Sequence, residues 1–291
     1  MTLRRAGLIA RHTLPDALAA LAEAADWLDR HGCEPVVERD SAEAAGLSAR
    51  WRTARREAIG HDVDLVIAFG GDGTLLNAAS AIAHSPDDTP IVGVNLGRLG
   101  FLAEVNRSEI AAALEALAAG RYTTDARLML AGRVIRSGQT AAARLALNDV
   151  VITRGALSRM IEIDVAVDGQ AVSHVKADGL IVATATGSTA YNLSAGGPIL
   201  HPGVDAMVLT PIAPHTLSNR PLVLPATASV TLRPFVDALS DVVLTFDGQY
   251  GVPISAGDVV DVARAPRVLR LVRITPRTHF DMLREKLKWG D

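Results

Sequence analysis

A glycine-rich turn that holds one carboxylate is the first segment whose residue types could do chemistry. Residues 70–74 read Gly-Gly-Asp-Gly-Thr and follow directly on the apolar run 64–69. Glycines let backbone amides converge on an anion, and a helix that begins there adds its positive N-terminal end. The segment therefore predicts a phosphate site. It is not a Walker loop, because no lysine follows the glycines, and Leu76 replaces the third glycine of a dinucleotide fingerprint.

The carboxylate of Asp72 is unexpected in a phosphate site, because the two negative charges repel each other. One interpretation makes Asp72 the N-cap of a tight turn, where its side chain satisfies backbone amides. The other gives it a functional role beside the phosphate. We favour the functional interpretation, because a neutral residue would serve pure phosphate binding better.

A long uncharged segment is the second candidate site. Residues 179–204 carry no charged side chain, and this length would suffice to span a bilayer. The segment is nevertheless rich in glycine, serine, threonine and asparagine, which is untypical of a membrane span. Thr186, Ser188 and Thr189 supply hydroxyl groups, and Tyr191 supplies a flat ring for stacking. This pattern predicts contact with an uncharged polar ligand such as a base, an amide or a ribose.

Two polar residues, Asn148 and Asp149, form the third candidate site. Leu-Ala-Leu precedes them and Val-Val-Ile follows them, so they interrupt an otherwise apolar stretch. Polar groups in such surroundings need a partner, and an amide beside a carboxylate suits the two hydroxyls of a ribose. A simple turn at the end of a strand would explain the same pair without a ligand.

Composition and charge restrict the class of protein. The 291 residues carry 29 basic and 32 acidic side chains, a formal net charge of -3, which argues against binding to the phosphate backbone of nucleic acids. Cys33 is the single cysteine, so the chain has no internal disulfide and no cysteine-based zinc site, and a reducing, cytoplasmic location is expected. The first apolar run is interrupted by Arg11 and is too short for a secretory signal.

The elements that must position these residues change character along the chain. Strand patterns occupy residues 6–10, 35–38, 64–69 and 90–94. Helix patterns occupy residues 15–31, 48–59 and 74–83, and a further helix capped by Asn106 or Ser108 ends at Gly120. Alternating strands and helices predict a parallel open sheet.

After Tyr122 the pattern becomes that of β-strands. The β-branched runs are 128–135, 143–153, 161–167, 228–232 and 242–246, and Asp168-Gly169 indicates a two-residue hairpin turn. Helical periodicity returns only at 280–289. We therefore predict an α/β, Rossmann-like domain at residues 1–121 and a mostly β domain, a β-sandwich, at 122–274. The segment 275–291 is expected to pack back on the first domain.

The motifs occur in the order found in NAD kinases, and the chain resembles that family over nearly its whole length. The resembling segments are Gly70–Leu76, Asn95–Leu102, Asn148–Asp149, Asp178–Pro198, Thr210–Pro221, Asp247–Gln249 and Leu283–Gly290. Phosphofructokinases and the diacylglycerol and sphingosine kinases share the glycine motif, whereas the Thr-Gly-Ser-Thr-Ala-Tyr segment is far more specific. The resemblance implies a phosphofructokinase-like first domain.

The resemblance also implies an activity. The enzyme would be a phosphotransferase that moves the γ-phosphate of ATP, or a phosphate of polyphosphate, to the 2′-hydroxyl of the adenosine ribose of NAD, giving NADP. Mg²⁺ would arrive with the ATP and not in a dedicated protein site. The implied protein is a cytoplasmic homodimer or homotetramer with no nucleic-acid or membrane partner.

Individual residues receive roles from the same resemblance. Asp72 is the proton acceptor, Asn148 and Asp149 hold ribose hydroxyls, and Asp178 faces the nicotinamide amide. The phosphate-binding residues are Gly70, Gly71, Gly73 and Thr74. The NAD-binding residues are Asp72, Gly73, Phe101, Asn148, Asp149, Arg159, Lys176, Asp178, Thr186, Ser188, Thr189, Ala190, Tyr191, Asn192, Ser194, Ala213 and Gln249. Family members often carry Glu at the position of Asp149, and Ser and Pro at those of Ala183 and Ala185.

Three other functions fit parts of the sequence. A lipid kinase would need an apolar lipid entry or a basic membrane-facing patch, and the sequence indicates neither. A non-catalytic dinucleotide sensor would keep the pocket but has no use for Asp72. A carbohydrate-binding β domain fused to an α/β partner leaves the phosphate turn unexplained.

Overall fold

A computed structural model describes residues 3–83, 85, 87–97, 100–155, 159–216, 218–237 and 241–289. The chain divides into two compact units, Met1–Ala126 together with Leu269–Asp291, and Arg127–Val268. The predicted fold class is confirmed: the N-terminal part is α/β, the following part is mostly β, and the C-terminal helix belongs to the first unit.

The first unit is built on a parallel sheet. Its strands are β1 (Arg5–Ala10), β2 (Glu34–Glu38), β3 (Arg52–Ala54), β4 (Leu65–Gly70), β5 (Ile91–Asn95) and the two-residue β6 (Val105–Asn106). They pair in the order β5–β4–β1–β2–β3, and β6 also lies beside β5. All pairs are parallel, and every residue of β4 is buried, as expected for a strand covered on both faces. Gly70 pairs with Asn95, so both lie at the carboxyl edge of the sheet.

Helices follow the strands of this unit. They are α1 (Pro15–Arg30), α2 (Arg39–Ala44), α3 (Asp72–Ile82), α4 (Ile110–Ala118) and, near the end of the chain, α6 (His279–Leu287). In α1, Pro15 occupies the first turn and Leu21, Ala25 and Leu28 are among the residues buried at helical spacing. Asn106 and Glu109 form a capping box on the 3₁₀ turn that leads into α4. The predicted cap at Asn106 is therefore confirmed.

The helix predicted at residues 48–59 is wrong. The chain instead forms β3, which pairs in parallel with β2, and then a 3₁₀ turn at Arg56–Ala58. Arg56 reaches back from this turn to the buried carboxylate of Glu38 at the end of β2, with 2.7 Å between Nη2 and Oε1. Long-range pairing at the sheet edge thus prevails over the local helical pattern, as tertiary contacts commonly do. The short helix α2 was not predicted.

The second unit consists almost entirely of strands. They are β7 (Thr123–Arg136, which starts in the first unit), β8 (Gln139–Ala146), β9 (Asp149–Arg154), β10 (Ile161–Val167), β11 (Gln170–Ala177), β12 (Gly179–Thr184), β13 (Ala206–Ile212), β14 (Leu222–Pro225), β15 (Val230–Phe235), β16 (Val242–Phe246), β17 (Tyr250–Pro253) and β18 (Val259–Arg273, which ends in the first unit). Its helix among the described residues is the single turn α5 (Tyr191–Ser194). The run predicted at 143–153 is two strands, β8 and β9, that break at Asn148.

One antiparallel sheet of this unit carries the candidate residues. Its order is β14–β13–β12–β9–β16–β17, and Ile152 of β9 pairs with Leu180 of β12 and Leu244 of β16. These three side chains are fully buried in the main core of the unit, while Val151 and Ile181 face a small cluster on the opposite side. The remaining strands form the group β11–β10–β15–β18 and the hairpin β7–β8. Asp168 and Gly169 make the predicted turn between β10 and β11.

The end of the chain completes the first unit. Leu271 of β18 pairs in parallel with Ile91 of β5, and Met282 and Leu283 of α6 are buried. Glu104 accepts hydrogen bonds from the backbone amides of Ile274 (2.7 Å) and Thr275 (3.2 Å). Within the described part of the chain, no helix is both long enough and apolar enough to cross a membrane.

Candidate active site

The glycine-rich turn lies where β4 passes into α3. Gly71 is the N-cap and α3 begins at Asp72, so the first amides of the helix point towards the carboxyl edge of the sheet. A side chain at position 70 would collide with the hydroxyl of Thr74 and would lie 3.2 Å from the Cβ of Arg11. Glycine is therefore required at position 70 for the helix to start this close to β1. The predicted phosphate site is built as a strand end followed by a helix N-terminus.

The carboxylate of Asp72 is held by three consecutive amides of the loop that follows β5. Oδ2 accepts from the N–H of Phe101 at 2.7 Å, and Oδ1 accepts from the N–H groups of Leu102 (3.1 Å) and Ala103 (2.9 Å). A side chain at Gly100 would overlap this carboxylate. Residues 101–103, at the end of a segment that the sequence marked only as a motif, thus bind the side chain of Asp72. The carboxylate is fixed in orientation and carries its charge opposite amide dipoles.

Three exposed arginines follow neighbouring strands at the carboxyl edge of the same sheet. Arg11 comes directly after β1, Arg39 after β2 and Arg55 after β3. Strands of a parallel sheet end at one edge, so these cations share that edge with the N-terminus of α3. None of the three was predicted as a site residue. Arg11 and Arg39 could have been found from the sequence, because each stands one position beyond a predicted strand, whereas Arg55 could not, because β3 was not predicted. Phe101, whose amide binds Asp72, has the Nζ of Lys286 5.7 Å from the centre of its ring.

In the second unit, Asn148 and Asp149 sit at the start of β9 and are 9% and 5% exposed. Burial, and then the charge of Asp247, raise the pKa of the Asp149 carboxyl to about 7. Burial also raises the pKa of Asp247, although hydrogen bonds from the amides of residues 147–149 act in the opposite direction. The Asn148–Asp149 pair was predicted from the sequence, but Asp247 was assigned no role there. Its Asp-Gly-Gln turn was the available signal.

The loop after β12 is tied to this pair by its backbone. The N–H of Thr184 donates to the carbonyl of Asn148 at 2.8 Å, and the Thr184 hydroxyl donates to the carbonyl of Leu147 at 2.6 Å. The same hydroxyl accepts from the N–H of Gly187 at 2.9 Å. Ala183, in β12, and Ala185, directly after it, are both buried. The segment Asp178–Pro198 and the Asn148–Asp149 pair therefore form one site within the second unit.

Two residues predicted to contact a ligand are committed to the loop itself. The hydroxyl of Ser188 donates to the carbonyl of Ala185 at 2.7 Å and accepts from the N–H of Leu200 at 2.9 Å. The side chain of Asn192 donates to two carbonyls and accepts from the hydroxyl of Thr210, and it is fully buried. The polar atoms of both side chains are satisfied within the loop, which favours a framework role for them, and their contact with NAD stays a prediction.

Other predicted NAD-binding residues lie on the surface of this loop. Tyr191 is 43% exposed and Ser194 is also exposed. Thr189 and Ala190, which precede Tyr191 in the loop, are half-buried. Thr186 is buried, with its carbonyl accepting from the hydroxyl of Thr189. The exposed ring of Tyr191 is available for stacking.

Asp178 and Ala213 lie at the adjoining ends of β12 and β13. The N–H of Asp178 donates to the carbonyl of Ile212 at 3.0 Å, and Ala213 has a left-handed φ of 45°. That conformation is strained for alanine and redirects its backbone away from the β13 ladder. Arg154 donates from Nε to Oδ1 of Asp178 at 2.6 Å, so the carboxylate predicted to face an amide already has a cationic partner.

The remaining predicted residues are more peripheral. Lys176, exposed on β11, pairs with Glu162 of β10 at 2.7 Å, Arg159 is exposed, and Gln249 lies in the turn after β16. No described group of three or more His, Cys, Asp or Glu side chains is arranged to hold a metal ion.

Comparison with known proteins gives a consistent result for both units. The family model described as the ATP-NAD kinase N-terminal domain matches residues 7–122, and the one described as the ATP-NAD kinase C-terminal domain matches residues 147–274. The NAD kinase of Syntrophotalea carbinolica is 43% identical over 289 residues, which cover 99% of this chain and 100% of the relative. The NAD kinase of Citrifermentans bemidjiense is 42% identical over 289 residues, with the same coverage.

Solved structures agree with this comparison. The yeast NADH kinase complexed with NADH is 27% identical and has a TM-score of 0.88, covering 100% of this chain and 89% of the yeast chain. The Archaeoglobus fulgidus NAD kinase in complex with ATP shares the fold, with a TM-score of 0.73 at 23% identity and 98% of each chain covered. The matches at above 40% identity extend from one end of the chain to the other, and we conclude that this protein belongs to the NAD kinase family and is an NAD kinase.

Proposed function

We propose that the protein transfers the γ-phosphate of ATP, or a phosphate of polyphosphate, to the 2′-hydroxyl of the adenosine ribose of NAD. The observation that carries this proposal is the Asp72 carboxylate, fixed by three loop amides at the N-terminus of α3. A phosphate-binding turn gains nothing from a negative charge, whereas a transferase that activates a hydroxyl needs an acceptor for its proton. Membership of the NAD kinase family supplies the identity of the acceptor substrate.

In the proposed step, the 2′-oxygen of NAD forms a bond to the γ-phosphorus while the bond from that phosphorus to the leaving oxygen of ADP breaks. The proton of the hydroxyl passes to Asp72. A carboxylate is too weak a base to remove this proton from the free hydroxyl, so Asp72 orients the hydroxyl and accepts the proton late, as the new bond forms. Oδ2 accepts one amide hydrogen bond and has a further lone pair for the substrate hydroxyl.

The donor phosphates are assigned to the carboxyl edge of the parallel sheet. Gly70, Gly71, Gly73 and Thr74 would present backbone and hydroxyl donors at the N-terminus of α3. The exposed cations Arg11, Arg39 and Arg55 follow three neighbouring strands and would offset the charge of the triphosphate. This arrangement suits ATP and an inorganic polyphosphate alike, because each presents a run of phosphates to the same donors.

A divalent cation accompanies the nucleotide in this class of reaction, and we propose Mg²⁺. It neutralises charge on the β- and γ-phosphates when bound. Mg²⁺ is commonly held through phosphate oxygens and water, so it would arrive with the ATP and need no dedicated protein site. Asp72 is not assigned to it, because three amides and the substrate hydroxyl would take up the lone pairs of its carboxylate.

The NAD contacts are proposed for the second unit. Asn148 and Asp149 would hold ribose hydroxyls, Tyr191 would stack on a ring, and Asp178 with the backbone at Ala213 would face the nicotinamide amide. Thr186, Thr189, Ala190, Ser194, Phe101, Arg159, Lys176 and Gln249 are retained as bordering residues. We also retain the proposals that the functional domains are residues 1–121 and 122–274 and that the enzyme is a cytoplasmic homodimer or homotetramer.

The test is a coupled assay on the purified protein. Incubation with NAD, Mg²⁺ and either ATP or polyphosphate should give NADP, detected by reduction with an NADP-specific dehydrogenase. Product with one donor and not the other decides between the two donors. Parallel assays with diacylglycerol and with no acceptor separate NAD phosphorylation from lipid phosphorylation and from ATP hydrolysis. A protein that binds NAD but forms no NADP with any donor would contradict the proposal.

A further inference from the structure

The turn at Asp247 holds the start of β9 with an unusually complete set of hydrogen bonds. Oδ1 of Asp247 accepts from the N–H groups of Asn148 (2.7 Å) and Asp149 (3.0 Å), and Oδ2 accepts from the N–H of Leu147 (2.8 Å). The N–H of Asp247 donates in return to the carbonyl of Asp149 at 2.9 Å. One residue thereby fixes three consecutive amides of the segment that carries the ribose-binding candidates.

The other side of the same segment is fixed by the loop after β12. The carbonyls of Leu147 and Asn148 accept from the hydroxyl and the N–H of Thr184, respectively. Gly187 approaches so closely that a Cβ there would overlap the carbonyl of Asn148. With amides and carbonyls both engaged, the peptide planes of residues 147–149 cannot rotate independently. The directions of the Asn148 and Asp149 side chains follow from this backbone.

The choice of a carboxylate at position 247 has an electrostatic cost. Asp149 is buried, and the charge of Asp247 disfavours its ionised form, which adds to the effect of burial on the pKa of Asp149. The strands that flank β9 do not offset this repulsion, because neither β12 nor β16 contains a titratable residue. Arg154, at the far end of β9, is paired with Asp178. A neutral side chain would make a simple turn without the repulsion.

A second Asp-Gly-Gln turn in the same unit provides the comparison. Asp168 has a φ of 50° and Asp247 a φ of 51°, and each precedes a glycine with positive φ. The Asp168 carboxylate is exposed and accepts from a single described amide, that of Ser229 at 2.9 Å. The turn itself therefore does not require a carboxylate that binds three amides. That feature is specific to the turn beside Asn148.

We propose that Asp247 is a positioning residue of this kinase, one that holds the backbone of residues 147–149 so that the Asn148 and Asp149 side chains meet the ribose hydroxyls of NAD. The inference rests on the proposed NAD-binding role of that pair. Asp247 touches neither substrate nor phosphate in this scheme and acts only through its neighbours. Its charge also adds to the effect of burial in raising the pKa of Asp149.

The test compares Asp247→Asn with the matched control Asp168→Asn. Asparagine at position 247 has nearly the same shape as aspartate but no charge. Its NH₂ group would face the N–H of Leu147, which donates to Oδ2 of Asp247, so that hydrogen bond is lost. We expect KM for NAD to rise by about tenfold or more while KM for ATP stays within about twofold, since a lost charge-assisted hydrogen bond has this magnitude. Asp168→Asn should leave both constants unchanged.

A pH profile supplies a readout that a purely structural role would not move. kcat/KM for NAD should fall on the acid side near pH 7 as Asp149 takes up a proton, and this acid limb should move to lower pH in Asp247→Asn. The limb should stay in place in Asp168→Asn. If Asp247→Asn fails to fold, as judged by circular dichroism, Asp247→Ser replaces it with the same criteria.

The Asn148→Ala variant tests the proposed ribose contact separately from the positioning role of Asp247. A raised KM for NAD in Asn148→Ala with unchanged kinetics and acid limb in the Asp247 variant would overturn the positioning role and leave the NAD site intact. Unchanged KM for NAD in Asn148→Ala would contradict the proposed ribose contact itself. A raised KM and a shifted limb in the Asp247 variant, together with the Asn148 effect, support the inference.

Discussion

The residue that governs the proposed chemistry, Asp72, combines two functions that are hard to serve together. Its carboxylate has to stay oriented beside anionic phosphates, and it has to retain capacity to accept a proton. Three amides from residues 101–103 offset the repulsion by placing positive dipole ends on both oxygens. The pair Asp149 and Asp247 in the second unit repeats the principle, because there too a carboxylate is bound by consecutive amides.

Substitution of Asp72 by Asn should separate binding from turnover. We expect kcat to fall by at least about 100-fold because the proton acceptor is lost, while the Kd for NAD changes little. The measurements are steady-state NADP formation and calorimetric titration with NAD. Asp16→Asn is the matched control, since Asp16 is also an acidic residue in the first turn of a helix of the same unit. Near-normal turnover in Asp72→Asn would remove this residue from the mechanism.

Asp149 should make the protein less stable as pH rises. Its pKa in the folded chain, about 7, lies above the ordinary value of 3.8, so the folded state keeps a proton that the unfolded state has released between about pH 4 and 7. The free energy of unfolding contributed by this group therefore falls across that window. Asp149→Asn should raise the stability at pH 8 by about 2 kcal/mol, and the gain should vanish near pH 4. Urea unfolding at several pH values measures this.

Asp281 is the control, because its contribution to stability should depend on pH in the opposite direction to that of Asp149. Hydrogen bonds from the hydroxyl and amide of Thr278, which cap α6, lower its pKa to about 2. Its contribution to stability is therefore present above about pH 4 and is lost as pH falls towards 2. Asp281→Asn should destabilise the protein at pH 7 and lose that effect in acid. The same pH trend for both variants would contradict the assignment for Asp149.

At the scale of elements, the candidate sites lie where strands end and the chain must turn closely. The sequence predicted β4, the helix that follows it and the hairpin at Asp168, because glycine positions and apolar runs are local signals. It did not predict that Ser188 and Asn192 turn inwards, since part of their hydrogen bonding comes from Leu200, Pro198 and Thr210, which lie 6 to 18 residues away in the sequence. Nor did it predict β3, whose existence depends on pairing with β2.

Gly187 tests how closely two elements have to approach. A methyl group at this position would overlap the backbone of Asn148, which cannot yield because Asp247 holds its other side. We expect Gly187→Ala to lower the free energy of unfolding by about 2–3 kcal/mol and to raise KM for NAD. Gly97→Ala is the control, as its Cβ would meet no atom within 4 Å. Thermal unfolding and NAD kinetics compare the two, and equal melting temperatures would contradict the close approach.

At the scale of the whole molecule, the first unit is assembled from two distant parts of the chain. Residues 269–291 return to it after the second unit, with β18 beside β5 and Glu104 bound to the backbone of residues 274 and 275. Glu104 also pairs with Arg273 at 3.0 Å, and the two side chains are 1% and 13% exposed. A buried carboxylate thus joins the loop after β5 to the end of β18.

Removal of this buried charge should destabilise the first unit. Glu104→Gln leaves Arg273 without its buried partner, and we expect a loss of about 3 kcal/mol in the free energy of unfolding. Asp88→Asn is the matched control: it breaks the exposed ion pair with Arg270 on the same stretch of β18 and should cost less than about 1 kcal/mol. Urea unfolding combined with hydrogen exchange in β4 and β5 measures both. Equal losses in the two variants would contradict the structural importance of Glu104.

The discontinuity of the first unit has a consequence for how the protein is made. Ile274 lies 170 residues after Glu104, so at translation rates of about 5–20 residues per second the ribosome needs roughly 10–30 s to supply the partner of this carboxylate. All of residues 127–268 emerge within that interval. We therefore expect the second unit to finish folding while the first still lacks its last strand. The unit that begins to be synthesised first is therefore expected to be the last to complete its fold.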